Sequence, residues 1–183
     1  GSVVKISDTG VVSTLASFNF SDGAAPIGLI AGSDGNFYGM CVRGGATNLG
    51  GIFKVTPSGT LTLLSGFSSL VCYNPVERLT EAGDGNFYAA CRSGGTNSLG
   101  AVFRVTPSGV FTRLESFTGT SGALPGSTPT TRLTLGGDGN LYGTTNSGGA
   151  ANSGTVYRVV VASGVVESVV SFTGTSGGAL GSS

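Results

Sequence analysis

Histidine is absent from this chain, and tryptophan with it. Without histidine, the commonest general base and the commonest metal ligand are both missing. Serine and threonine abound, but a hydrolytic triad would need an unusual base. Charge is scarce too: only 10% of residues are Asp, Glu, Lys or Arg, and nine of each sign cancel. No basic field exists to hold phosphates, so nucleic acid is not an expected partner. Three cysteines are too few, and wrongly spaced, for a structural zinc site. No apolar run approaches the roughly 20 residues of a membrane span, so membrane insertion is not expected. Helical periodicity is lacking as well, because Gly or Pro interrupts every window of helix length.

What is present is glycine, 34 residues of it, among 39% hydrophobic residues and much Ser, Thr and Asn. That is too apolar and too weakly charged for a disordered chain. It suits many short strands joined by tight turns. The balance also resembles that of secreted bacterial surface proteins, so an extracellular or cell-surface location is expected.

The chain repeats itself. Residues 29–67 return almost verbatim as 79–117 and more loosely as 133–172, a period of about 50 residues. Each copy holds an Asp-Gly-Asn turn between two β-prone runs, at Asp34, Asp84 and Asp138, which is a hairpin signal. A Gly-rich loop follows, then a second hairpin around Thr-Pro-Ser-Gly at Thr56 and Thr106. The unit is therefore four strands, A to D, which is the pattern of a β-propeller blade. The C–D half occurs once more than the A–B half, because VVKISDTGVVSTLASF opens the chain.

The expected fold is all-β: a propeller-type array of four-stranded antiparallel blades in a single repeat domain, residues 1–183. Its parts are a half blade at 3–18 and full blades at 26–67, 76–117 and 130–172. Closed propellers typically need about four to eight blades. The unpaired flanks point to a piece of a longer propeller, to ring closure by two copies, or to head-to-tail joining into a filament.

The consensus DGN-F-Y-G…GG…G-x-[VI]-[FY]-[KR]-V-T-P-x-G…L…F resembles the GloVer tandem repeat of bacterial surface or secreted proteins. The resemblance implies a propeller-like fold and an extracellular setting, and carries no activity. The last copy departs from it where Val160-Val161 replace Thr-Pro.

Several positions are candidates for chemistry. The three turn aspartates suit hairpin geometry better than calcium, which wants about six to eight oxygens. A basic residue recurs in strand C, at Lys5, Lys54, Arg104 and Arg158, as edge cover or a local pair. The B–C loops are the favoured ligand site, because ligands prefer loops on rigid scaffolds. Arg43, Thr47, Asn48, Arg92, Thr96, Asn97, Asn146 and Asn152 there could hydrogen-bond a glycan. Glu77 and Glu81, four apart around strand A and so expected on one strand face, form a conceivable carboxylate pair for glycoside cleavage. Nothing calls for a cofactor or metal.

Cys41 and Cys91 occupy equivalent strand-B positions, where the third copy has Thr145. Cys72, in the D–A linker, should approach the blade that holds Cys91. A Cys72–Cys91 disulfide is expected, with Cys41 free or paired between chains; three reduced thiols are the alternative. The leading functional expectation is a non-catalytic extracellular binding or scaffold module, acting on glycans through one loop face. The second is a structural subunit that self-associates through unpaired blade edges into a homo-oligomer, ring or filament. A carbohydrate-active enzyme is third.

Overall fold

In the computed structural model, residues 1–174 are described, and they form strands, turns and loops with no helix among them. Four antiparallel sheets follow one another along the chain. The first is the pair β1 (Ser2–Ile6) and β2 (Val12–Ser17). The second runs in order through β3 (Ala24–Ala31), β4 (Phe37–Arg43), β5 (Gly51–Val55) and β6 (Leu61–Gly66).

The third and fourth sheets share one variation, an A strand broken in two. In the third, β7 (Tyr73–Pro75) and β8 (Thr80–Glu81) both pair with β9 (Phe87–Ser93), which leads to β10 (Ala101–Val105) and β11 (Phe111–Ser116). In the fourth, β12 (Ser127–Pro129) and β13 (Thr134–Leu135) flank β14 (Leu141–Ser147), followed by β15 (Thr155–Val160) and β16 (Val165–Ser171). The break between β7 and β8 falls at Glu77, held at φ 50°; the matching residue of unbroken β3 is Gly28, at φ 59°. Glycine takes that left-handed geometry freely, and a glutamate does so only under strain.

The all-β architecture of four-stranded antiparallel units expected from the sequence is what the chain adopts. Its turns explain the pairing. In the Asp-Gly-Asn turn, Asp34 Oδ1 accepts the Asn36 backbone N–H at 3.0 Å, and Oδ2 accepts the Tyr38 hydroxyl at 2.7 Å. Asp84 with Tyr88 and Asp138 with Tyr142 repeat both bonds. Strand B is thereby stapled to its own turn. The last C–D turn keeps its hairpin without Thr-Pro, because Gly164 N–H donates to the Val160 carbonyl at 2.8 Å.

One bulge recurs in every C–D pair, β1–β2 included. The register slips after Val3, Ile52, Val102 and Val156. Each slip leaves one residue of strand D unpaired: Leu15, Leu64, Leu114 or Val169. A bulge re-aims the chain locally, and here it marks the junction between neighbouring sheets. Gly59 of the second sheet's C–D turn abuts Leu15, Gly109 abuts Leu64, and Gly164 abuts Leu114.

The core is divided along the same lines, one cluster per junction. Val3 and Ala16 pack against Phe53 and Val55. Tyr38, Met40 and Ile52 pack against Leu79, Phe87 and Phe103. Tyr88 and Val102 pack against Leu141, Tyr157 and Val159. Each unit thus buries its apolar face only against its neighbours, as repeat architectures do.

Candidate functional site

The B–C loops are built by their own side chains. Asn48 and Asn152 adopt φ 56° and 55°, and their Oδ1 atoms accept the N–H of Gly44 at 3.2 Å and Gly148 at 2.9 Å. Thr47 Oγ1 donates to the Phe67 carbonyl at 2.6 Å, and Asn97 Nδ2 donates to the matching Phe117 carbonyl at 3.2 Å. Thr96 meets the Ser116 hydroxyl through its backbone N–H at 3.1 Å. Thr47, Thr96 and Asn97 tie the first two loops to the end of strand D, and Asn48 and Asn152 close their own loops. Asparagine suits the left-handed corner because its short amide bonds locally.

Arg43 and Arg92 both remain exposed, but they do not converge. Cys41 of β4 and Cys91 of β9 are equivalent, each opposite the start of strand C. Arg92 therefore matches Val42 and Asn146, whereas Arg43 matches Ser93. Successive strand residues face opposite ways, so Arg43 lies on the other face from the Val42, Arg92 and Asn146 positions. Asn146 is exposed, and among the described residues its side chain donates to Ser147 Oγ at 3.4 Å.

Arg92 enters a cavity of about 370 Å³ with Val42, Asn74, Val76, Glu77 and Thr130. Three sheets contribute: Val42 from β4, the Asn74–Glu77 segment and Arg92 from the third sheet, and Thr130 just after β12. Asn74 is held at φ 53° next to Pro75, and its Nδ2 donates to Ser93 Oγ at 3.3 Å. The one ion pair among the described residues is Arg158–Glu167, so neither Arg92 nor Glu77 is neutralised by a salt bridge. The cavity thus gathers a cation, an anion, an amide and a hydroxyl at one mouth. Asn74 and Thr130 carry no motif; Asn74 shares its left-handed geometry with Ala25 and Thr128.

Glu77 and Glu81 do not share a strand face, contrary to their spacing. The left-handed Glu77 lies outside both β7 and β8 and turns the chain between them. Glu81 sits at the far end of strand A, where its carboxylate accepts Ser33 N–H at 2.9 Å and Ser33 Oγ–H at 2.5 Å. That carboxylate joins two sheets.

The turn aspartates are committed as well. The Tyr38 hydroxyl, then Asn36, hold the Asp34 carboxyl below its ordinary value. At Asp84 burial pushes the other way, and bonds from Asn86 and Tyr88 outweigh it. Burial, reinforced by the Asp84 bond, pushes Tyr88 up to about 12. Among the described residues, no group of three or more His, Cys, Asp or Glu is placed to hold a metal ion.

Cys72 and Cys91 are joined as a disulfide, their Cα atoms 5.6 Å apart. Cys41 is free and buried. Burial, with Asp22 nearby, pushes its thiol up to about 11. The residue at the Cys72 position in the second sheet is Gly23, where a Cβ would stand 2.5 Å from Cys41 Sγ. Cys41 lacks a partner because its neighbour has no side chain.

Sheets of this kind, stacked by repeats around an inner A strand, define a β-propeller-type repeat protein. The chain belongs to the Gloeobacter/Verrucomicrobia repeat family, whose profile matches residues 1–183. No curated protein matches it. Among solved structures it is similar to a gluconolactonase from Xanthomonas campestris, with 14% identity and a TM-score of 0.50. The likeness covers 84% of this chain and 50% of that one, so the chain spans about half the length of that structure. At that identity the likeness shows the fold alone.

Proposed function

We propose that this chain is a non-catalytic, extracellular binding module whose ligand seats in the cavity at the B–C mouth. The observation that carries this is the convergence of unneutralised Arg92 and Glu77 with Asn74 and Thr130 in about 370 Å³. Binding sites combine concavity with a few convergent polar groups. A hydroxyl-rich ligand meets donors from Arg92 and Asn74, an acceptor at Glu77, and a group that does both at Thr130. A glycan is the ligand class that fits. The extracellular setting follows the composition and the disulfide, which persists in oxidising compartments.

Of the eight loop residues suggested by sequence, this reading retains Arg92 alone. The other loop amides and hydroxyls keep their structural bonds. The neighbour's gluconolactonase activity is not carried over. The test is a glycan array probed with the wild-type chain, Arg92→Ala and Glu77→Gln. Hits lost in both variants support the reading; no hits, or hits that both variants retain, overturn it.

A further inference from the structure

Both broken A strands carry the same triplet at the break. Arg78-Leu79-Thr80 leads into β8, and Arg132-Leu133-Thr134 leads into β13. The leucines anchor it: Leu79 and Leu133 are 1% and 0% exposed, each in the core of its own junction. The arginines beside them are exposed. Thr80 Oγ1 donates to the Leu133 carbonyl at 2.6 Å, which fixes the two triplets against each other across neighbouring sheets. Gly28 of β3 closes on Arg78 from the second sheet, and a Cβ on that glycine would overlap the Arg78 Cβ. Arg78 and Arg132 thereby line one cavity of about 330 Å³, together with Ile30 of β3. Charge in this cavity is unbalanced. Neither guanidinium makes a hydrogen bond or ion pair among the described residues. The carboxylate in the lining, Glu81, spends its oxygens on Ser33 N–H and Oγ–H. Thr134 also lines the cavity, and its hydroxyl has no bond among the described residues, whereas Thr80 has spent its own on Leu133.

We propose that this cavity binds one tetrahedral oxyanion, a phosphate or sulfate group, between Arg78 and Arg132, with the Thr134 hydroxyl as a further donor. Like charges brought to one cavity repel, and an anion seated between them removes that cost. The guanidinium fork matches a pair of acceptor oxygens. Two forks supplied by different sheets call for an acceptor with more than two oxygens. A carboxylate fills one fork, and a tetrahedral group can fill both. A single oxyanion needs only this local pair, not the extended basic field that nucleic acid requires. The lining comes wholly from the inner strands of the three full sheets, between residues 30 and 135. It shares no residue with the cavity at the B–C mouth, so the two readings stand or fall separately.

The probe is inorganic phosphate, titrated onto the isotope-labelled chain at constant ionic strength and followed by amide NMR, with sulfate and acetate as parallel titrants. Saturable shifts centred on Arg78, Thr80, Arg132 and Thr134 are expected with phosphate and with sulfate. Acetate should bind about tenfold more weakly, and Arg78→Gln and Arg132→Gln should each weaken phosphate by about tenfold. Arg43→Gln, at an exposed arginine outside the cavity, should leave phosphate binding unchanged. Arg78 and Arg132 are exposed, so circular dichroism of their variants should match the wild type. Wild-type phosphate shifts that fail to saturate or that centre elsewhere overturn the proposal. So does phosphate binding that both folded variants retain, or acetate binding as tight as phosphate.

Discussion

The Tyr157 ring lies over Gly143, its direct partner in the ladder between β14 and β15, and a Cβ on that glycine would overlap the ring. The Tyr157 hydroxyl is buried there with no hydrogen-bond partner among the described residues. The matching side chains of the second and third sheets, Phe53 and Phe103, have no hydroxyl to satisfy. An unpaired buried hydroxyl costs about 1–3 kcal/mol of desolvation. Tyr157→Phe should therefore raise stability by about 1 kcal/mol in urea unfolding, a rise of roughly 3 °C in melting temperature. A clear loss of stability would mean that the hydroxyl does have a partner.

Acid should weaken the Asp-Gly-Asn turns. The folded carboxyls of Asp34, Asp84 and Asp138 all lie below the ordinary value of 3.8. Their contribution is complete above that value and is lost as pH falls through the lower folded values. At the alkaline end the sign reverses. Tyr88 is raised from 10.0 to about 12, so it favours the fold fully below pH 10.0 and loses that contribution as pH rises through about 12. Tyr38→Phe should shallow the acid-side decline in urea midpoint. An unchanged decline would contradict the Tyr38–Asp34 bond.

Glycines divide by what surrounds them. Gly50, at φ 80°, has the Cys41 carbonyl where a Cβ would go, while Gly35, at φ 81°, faces open space. Gly50→Ala should cost about 3 kcal/mol or more, from strain and overlap together. Gly35→Ala should cost about 1 kcal/mol, from backbone strain alone. Paired denaturant titrations compare them, and equal losses would show that the close approach at Gly50 does not matter.

The thiols give a count. Alkylation of the native chain should label none, and alkylation after denaturation without reductant should label Cys41 alone. After reduction all 3 cysteines should react. Replacing Cys72 by serine opens a loop of sequence separation 19, which should cost about 3 kcal/mol. Labelling at Cys72 or Cys91 before reduction would contradict the bond.

Much of the fold was legible because it is written in turn residues and repeated. The Asp-Gly-Asn and Thr-Pro-Ser-Gly corners mark the hairpins, and the extra C–D pair shows in the opening sixteen-residue segment VVKISDTGVVSTLASF. The disulfide could be inferred because Cys91 sits at a repeat position and Cys72 just before strand A. Two things were hidden. The break in strand A leaves Glu77 between β7 and β8, away from Glu81, and such a break leaves little trace in residue type. The loop residues Thr47, Asn48, Asn97 and Asn152 look like free hydrogen-bonding groups in sequence. Their partners are carbonyls and amides some 4 to 20 residues away, which composition cannot show.

The most direct measurement for the B–C mouth is an amide NMR titration of the isotope-labelled chain with glycans that score on the array. We expect saturable shifts concentrated at Asn74, Val76, Glu77, Arg92 and Thr130. Shifts confined to other parts of the chain, or none at all, would contradict a ligand site at this mouth.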